Sequence, residues 1–189
     1  WTWGFNRDYQ LGDGTNTNKE YATQVKVDGN TYLTGIVDIA AGSEEYSSGE
    51  NLSSSNVVAL KEDGTVWTWG TQQANYWYSG YSGQLGRGGN GVYPYAGKAD
   101  VFEKIIKVEA GYRRTVGLKI DGTVWSCGYN ADGQFGNGKS YVWNSVNQTA
   151  QRANITEVKD ITVSEHSTIF TKEDGTIWAS GYNAEGQLG

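Results

Sequence analysis

The chain has 189 residues, with 15 Lys plus Arg against 21 Asp plus Glu, 27 Gly, 8 Trp, and a single Pro, Cys and His each. A formal charge of −6 and a pI near 4.8 exclude a binder of the phosphate backbone, which neutralises its polyanion with clustered Lys and Arg. One cysteine, Cys127, excludes an internal disulfide, and the longest apolar runs, such as 36–41, fall far short of the roughly 20 residues a membrane helix needs.

Taken in chain order, the first element is WTWG at 1–4, and it returns as GTVWTWG at 64–70, GTVWSCG at 122–128 and GTIWASG at 175–181. Trp1, Trp67, Trp125 and Trp178 are 66, 58 and 53 residues apart, a period that drifts as it does when insertions fall in loops. A second signature follows each copy: YQLG at 9–12, GQLG at 83–86, GQFG at 133–136 and GQLG at 186–189. The repeats run 1–66, 67–124 and 125–177, with a partial copy at 178–189. Both termini fall inside the motif and read as cuts in a longer protein.

Asp63-Gly64, Asp121-Gly122 and Asp174-Gly175 precede three of the tryptophan strands. Asp-Gly between apolar strands is a strong hairpin signal, because both residues tolerate positive φ. Its partner strands are 56–61, 115–120 and 168–172; a further set is 36–40, 105–109 and 158–163. A fourth set is placed at 23–27, 100–104 and 148–154, and no segment carries a helical period. Four short antiparallel strands repeated in series predict an all-β chain of propeller blades. Inner strands of a blade are covered on both faces, so Trp67 with Trp69 and Trp1 with Trp3 are expected to be sandwiched, and Trp67 and Trp125 to be core.

With the Asp-Gly-Thr-Val-Trp strand, its closing glycine and Gly-Gln-Leu-Gly in view, the chain resembles the RCC1 (regulator of chromosome condensation) repeat family over essentially its whole length. Ala41-Gly42 and Ala110-Gly111 match the family's Ala-Gly step. Its usual His-Ser is replaced by Arg114-Thr115 in one repeat, and His166-Ser167 sits one place early in another. The resemblance implies a β-propeller, usually of seven blades, of which about three are present. Alone they would form an open arc, closed by further repeats of a longer chain or, alternatively, by a second copy.

No nucleophile with its base is legible, so no catalytic residue and no cofactor is assigned. His166 stands beside Glu165 and Ser167, where strand alternation would point neighbours to opposite faces, and is read as structural. Cys127 takes the place of the motif's second tryptophan and is read as a small buried hydrophobe. The Asp- and Asn-rich 12–18 segment lacks the acid that completes a calcium loop and is read as a turn.

In a four-stranded meander the Asp-Gly turns make one end tight, and the long segments 43–55, 71–98 and 129–146 collect at the other. Those segments carry the candidate binding residues Tyr76, Trp77, Tyr78, Tyr81, Tyr93, Tyr95, Tyr141 and Trp143, large anchors of low entropic cost, with Arg87, Arg113 and Arg114 as polar candidates nearby. Two functions compete: a protein-interaction scaffold, whose partner could be another copy, and a carbohydrate-binding surface module. The resemblance also brings in a secreted propeller that inhibits an enzyme. The sequons at Asn51, Asn147 and Asn154 point to a secreted or cell-surface protein.

Overall fold

The computed structural model describes residues 1–43, 55–72, 83–89, 91–140 and 147–189. Among these, every regular element is a strand: β1 (Thr2–Gly4), β2 (Lys19–Thr23), β3 (Ile36–Ser43), β4 (Ser55–Lys61), β5 (Val66–Gln72), β6 (Gly91–Lys98), β7 (Ile105–Gly111), β8 (Arg114–Lys119), β9 (Val124–Gly128), β10 (Asn147–Arg152), β11 (Val158–Val163), β12 (Ser167–Lys172) and β13 (Ile177–Gly181). They form four antiparallel sheets in sequence order, β1-β2, β3 to β6, β7 to β10, and β11 to β13. The fold is the expected all-β stack of blades.

The hairpin turns explain why the motif reads Asp-Gly-Thr-x-Trp. The Asp63 carboxylate accepts from both the amide and the hydroxyl of Thr65, at 3.0 and 2.6 Å, and the Thr65 hydroxyl accepts from the Trp67 indole at 3.2 Å. Asp121, Thr123 and Trp125 repeat the chain of bonds, as do Asp174, Thr176 and Trp178. The threonine hydroxyl bond, with the amide bond behind it, holds each aspartate below the usual carboxylate range.

Successive sheets pack face to face through three apolar clusters. Val25 and Leu33 meet Val57, Ala59 and Trp69; Val58, Leu60 and Phe102 meet Ile105, Val108 and Cys127; Val116, Leu118 and Val124 meet Val158, Ile161 and Phe170. The first strands of the sheets, β3, β7 and β11, lie side by side. Asp38 accepts the Val108 amide at 3.0 Å, and Lys107 reaches over to Asp160 and the Ile161 carbonyl. The Ala-Gly step is required there: a Cβ on Gly42 would run into the Gly111 carbonyl, and one on Gly111 into Val163.

The glutamine motif supplies a latch between sheets. The Gln10 carbonyl accepts the Trp69 indole at 2.9 Å, the Gln84 carbonyl the Thr115 hydroxyl at 2.7 Å, and the Gln134 carbonyl the Thr168 hydroxyl at 2.8 Å. Each loop thus follows a tryptophan strand of one sheet and is tied to the next sheet. Its own shape is set by an amide side chain that accepts the backbone N–H after the glutamine: Asn6 for Leu11, Gln72 for Leu85, Asn130 for Phe135 and Asn183 for Leu188.

Arg114 adds a second tie. It is fully buried and donates to the carbonyls of Ser164, Glu165 and Ser167, each at 2.8 Å, across the next sheet boundary. Burial pulls its guanidinium down to about 10, which still leaves it charged at neutral pH. Asn56, four strands earlier and in the same register of the preceding sheet, donates to the Arg114 carbonyl at 3.1 Å. The unusual Arg114-Thr115 pair therefore does the work of an inter-sheet tie, and with a longer reach.

Several expectations are corrected. The core tryptophan is Trp69, with no exposed surface; Trp67 and Trp125 are half-buried, because their indoles lie over the turn beneath the ammonium groups of Lys61 and Lys119. Trp1 and Trp3 are 75% and 65% exposed instead of sandwiched, since the β1-β2 sheet has no strands inward of β1. That leaves an apolar groove of about 350 Å³ between Trp3, Phe5 and Leu11 on one side and Ile39 and Val57 on the other. Two of the three fourth strands also lie elsewhere, whereas β10 (Asn147–Arg152) falls on the expected 148–154. β6 occupies Gly91–Lys98, not 100–104, where the chain turns, and β2 ends at Thr23, where the expected strand began. The 12–18 segment is a turn in which Asp13 is held by the Thr15 amide and hydroxyl and by Lys19. Cys127 is wholly buried, and burial pushes its thiol up to about 12, so it is an inert packing residue.

Three stability predictions follow from this packing. Trp69→Ala removes a fully buried indole and its bond to Gln10, and is expected to cost about 3–5 kcal/mol in urea titration, against less than about 1 kcal/mol for the exposed Trp178→Ala; equal costs would refute the assignment of the core. Arg114→Lys replaces the two guanidinium nitrogens that span the Ser164, Glu165 and Ser167 carbonyls with a single ammonium, which loses the forked geometry of the tie, and should cost about 2–4 kcal/mol. Lys104 has φ +56 at the position where the preceding sheet has Gly35 at φ +72. Lys104→Gly should therefore raise stability by roughly 0.5–1 kcal/mol, visible as a higher denaturant midpoint at unchanged slope.

Candidate functional site

The meander sends the β3–β4, β5–β6, β7–β8, β9–β10 and β11–β12 connections to one end of the sheets and the Asp-Gly turns to the other. Tyr76, Trp77, Tyr78, Tyr81, Tyr141 and Trp143 belong to connections at that first end and lie outside the described residues. Tyr93 and Tyr95 are described, and they stand in β6 instead of a loop. The Tyr93 hydroxyl donates to the Gly88 carbonyl at 2.6 Å and its ring carries the Arg87 guanidinium at 4.5 Å. Tyr95 bridges to Asp13, and its ring occupies the space against Gly14. Both are half-buried packing residues, Tyr93 within its own repeat and Tyr95 against the first.

The arginines are likewise engaged. Arg87 donates to the carbonyls of Thr68 and Tyr95, and burial holds its guanidinium below its ordinary value. Arg113, nearly buried and at φ +47 in the β7–β8 turn, lays its guanidinium over the Tyr112 ring at 5.4 Å. Arg114 is the tie already described.

At the same end, the seam between the sheet of β7 to β10 and the sheet of β11 to β13 gathers side chains from four connections. Tyr112 comes from the β7–β8 turn, Tyr129 and Asp132 follow β9, Glu165 and His166 form the β11–β12 turn, and Tyr182 follows β13. The Tyr112 and Tyr129 rings meet edge to face with centroids 5.2 Å apart, and the His166 ring lies between Tyr112 at 5.4 Å and Tyr182 at 6.1 Å. His166 Nε2 is 3.3 Å from a Glu165 oxygen and Nδ1 is 3.6 Å from an Asp132 oxygen. Burial first, and then Asp132, raises the Tyr129 hydroxyl above its usual value.

His166 therefore lies in a turn, not in an alternating strand, and it does reach Glu165. Its neighbour Ser167 is turned away, its hydroxyl 2.7 Å from that of Ser164. The seam joins aromatic rings and carboxylates around one imidazole. Reading along the chain missed it because its members lie up to 70 residues apart. One signal was present: Gly128-Tyr129 and Gly181-Tyr182 put an aromatic residue directly after the motif's closing glycine, as Gly4-Phe5 does.

Comparison with known proteins bears on the same architecture. The model of the regulator of chromosome condensation (RCC1) repeat matches residues 1–44 and again 105–134. The human E3 ubiquitin-protein ligase HERC2 is 30% identical over 195 aligned residues, which cover 100% of this chain and 4% of that protein. The ultraviolet-B receptor UVR8 of Arabidopsis thaliana is 27% identical, over 100% of this chain and 38% of its own length. Among solved structures, yeast RCC1 (Prp20) bound to Kap60 superposes with a TM-score of 0.65 at 18% identity, covering 96% of this chain and 39% of that one. Human WBSCR16 does so at 0.61 and 16%, covering 94% and 41%. This chain thus spans well under half of each of these proteins, and the ligase match lies within repeats. The two repeat-model matches and the superposition on these solved structures show that the chain carries RCC1 repeats and the all-β blade fold that they form.

Proposed function

We propose that the chain is a non-catalytic protein-interaction scaffold that binds through the end of the sheets carrying the long connections. One observation carries the reading: aromatic and acidic side chains from four connections converge at that end, whereas the opposite end consists of tight Asp-Gly-Thr turns whose polar groups bond to one another. Aromatic clusters with a polar rim are what protein interfaces use as anchors. Proteins on the same fold support it: yeast Prp20 is seen bound to Kap60, and its binding to Gsp1p and histones has been described. The reading extends to an exported protein, since the sequon at Asn154 falls on an exposed residue.

The test is affinity capture on the immobilised chain from the source cells, comparing the wild type with Trp77→Ala/Trp143→Ala and with Glu62→Gln/Glu103→Gln at the opposite end. The expected result is loss of the captured partner, tenfold or more, in the first variant alone, with thermal midpoints within about 3 °C of wild type. Equal capture by all three proteins would overturn the assignment of the binding end.

A further inference from the structure

The seam at Tyr112, Tyr129, His166 and Tyr182 has a chemistry more specific than a general docking face. We infer that it receives a lysine or arginine side chain from a basic segment of a partner protein; this deepens the reading above and rests on it.

A sugar ring is recognised by lying flat on an exposed aromatic face. Here the ring planes are steeply inclined to one another, 83° between Tyr112 and Tyr129, 42° between Tyr112 and His166, and 55° between His166 and Tyr182. Rings set at such angles form walls, not a shelf. Walls of aromatic faces attract a compact cation through their quadrupoles. The chain already uses one of these rings in that way, with the Arg113 guanidinium over Tyr112.

Charge points in the same direction. Glu165 and Asp132 flank the seam, with side chains 59% and 29% exposed. The cations of the neighbourhood are committed elsewhere: Arg114 is spent on three backbone carbonyls and Arg113 is nearly buried against Tyr112. Glu165 is therefore turned to solvent beside Tyr182, itself 39% exposed, with the imidazole of His166 as its neighbour. Asp132 is partly used inside, because it accepts from Gln134 at 3.1 Å. Glu165 and Tyr182 are the exposed members of the seam, and Asp132, Tyr112 and Tyr129 are its less exposed members. A net charge of −6 on the chain favours encounter with a basic partner.

The experiment uses the whole chain and a fluorescein-labelled nine-residue peptide of glycine, lysine and arginine, followed by anisotropy at fixed ionic strength. A neutral analogue carries acetyl-lysine and citrulline at the same places. Binding is expected for the basic peptide and not for its analogue. Glu165→Lys should weaken it tenfold or more, and Tyr182→Ala by about 3- to 30-fold, the span of a cation–π contact. Glu62→Gln/Glu103→Gln should leave it within twofold. Glu165 and Tyr182 are exposed, so neither substitution removes packed core, and a thermal melt checks that both variants fold. Failure of the basic peptide to bind, equal binding of the analogue, or equal weakening by the opposite-end variant would overturn the inference. If Trp77→Ala/Trp143→Ala abolishes peptide binding while Glu165→Lys does not, the seam is wrong and the long-connection end still stands. If partner capture is also insensitive to Trp77 and Trp143, both fall.

Discussion

Everything in this fold depends on how one sheet is fixed to the next. A single three- or four-stranded sheet of this kind cannot bury both faces by itself, so its stability lies in stacking. Apolar contact supplies most of the energy but little direction. Direction comes from the glutamine loop, which leaves the end of a tryptophan strand and hands a backbone carbonyl to the indole or hydroxyl of the following sheet. The same three-part device, an amide side chain shaping the loop, a carbonyl pointing outward and a donor waiting on the neighbour, recurs at each of the three boundaries. Once it is in place, the rotation between sheets is set and the first strands are brought side by side.

The repeats tolerate considerable variation around that device. The position that holds Trp69 in one sheet holds Cys127 in the next and Ser180 in the last, a large loss of side-chain volume. At the middle boundary Phe102 and Ile105 contribute the bulk that the small thiol does not. The tie one residue from the sheet end is an amide in Asn56 and a guanidinium in Arg114. What stays constant is the set of backbone carbonyls being addressed. The repeat signature of this chain is therefore a record of hydrogen-bond geometry more than of core composition.

This explains which features could be read from the sequence. The hairpins were legible because their turn chemistry is local: Asp63, Gly64, Thr65 and Trp67 lie within five residues and bond to one another. Two of the three fourth strands were not. β6 is the last strand of its sheet and contains Pro94 and two glycines, so apolar alternation is weak there, and the aromatic residues Tyr93 and Tyr95 resemble a binding loop. The partial exposure of Trp67 was hidden for a related reason: alternation says that Trp67 and Trp69 face opposite ways, and only the neighbouring sheet decides which is covered. For the candidate site the sequence indicated the end of the molecule through loop lengths. It could not indicate the seam, which exists only when the β7–β8 and β11–β12 turns are stacked.

The division between the two ends has a physical basis that bears on function. At the Asp-Gly end each turn satisfies its own polar groups, and Glu62, Ile120 and Glu173 donate their amides to the carbonyls of Gly35, Lys104 and Glu157. The aspartates and threonines of these turns are spent on the fold itself, so this end has little freedom to acquire a ligand. At the other end the latch and the Arg114 tie hold the strand termini from beneath. Tyr112, Glu165, His166 and Tyr182 sit above those ties, and none of their side chains supplies a latch bond. They can therefore change without loosening the stack, and that freedom is what a recognition surface requires. A rigid scaffold whose ties lie under its variable residues can alter what it binds while keeping the positions of its side chains fixed to within the geometry of the sheets.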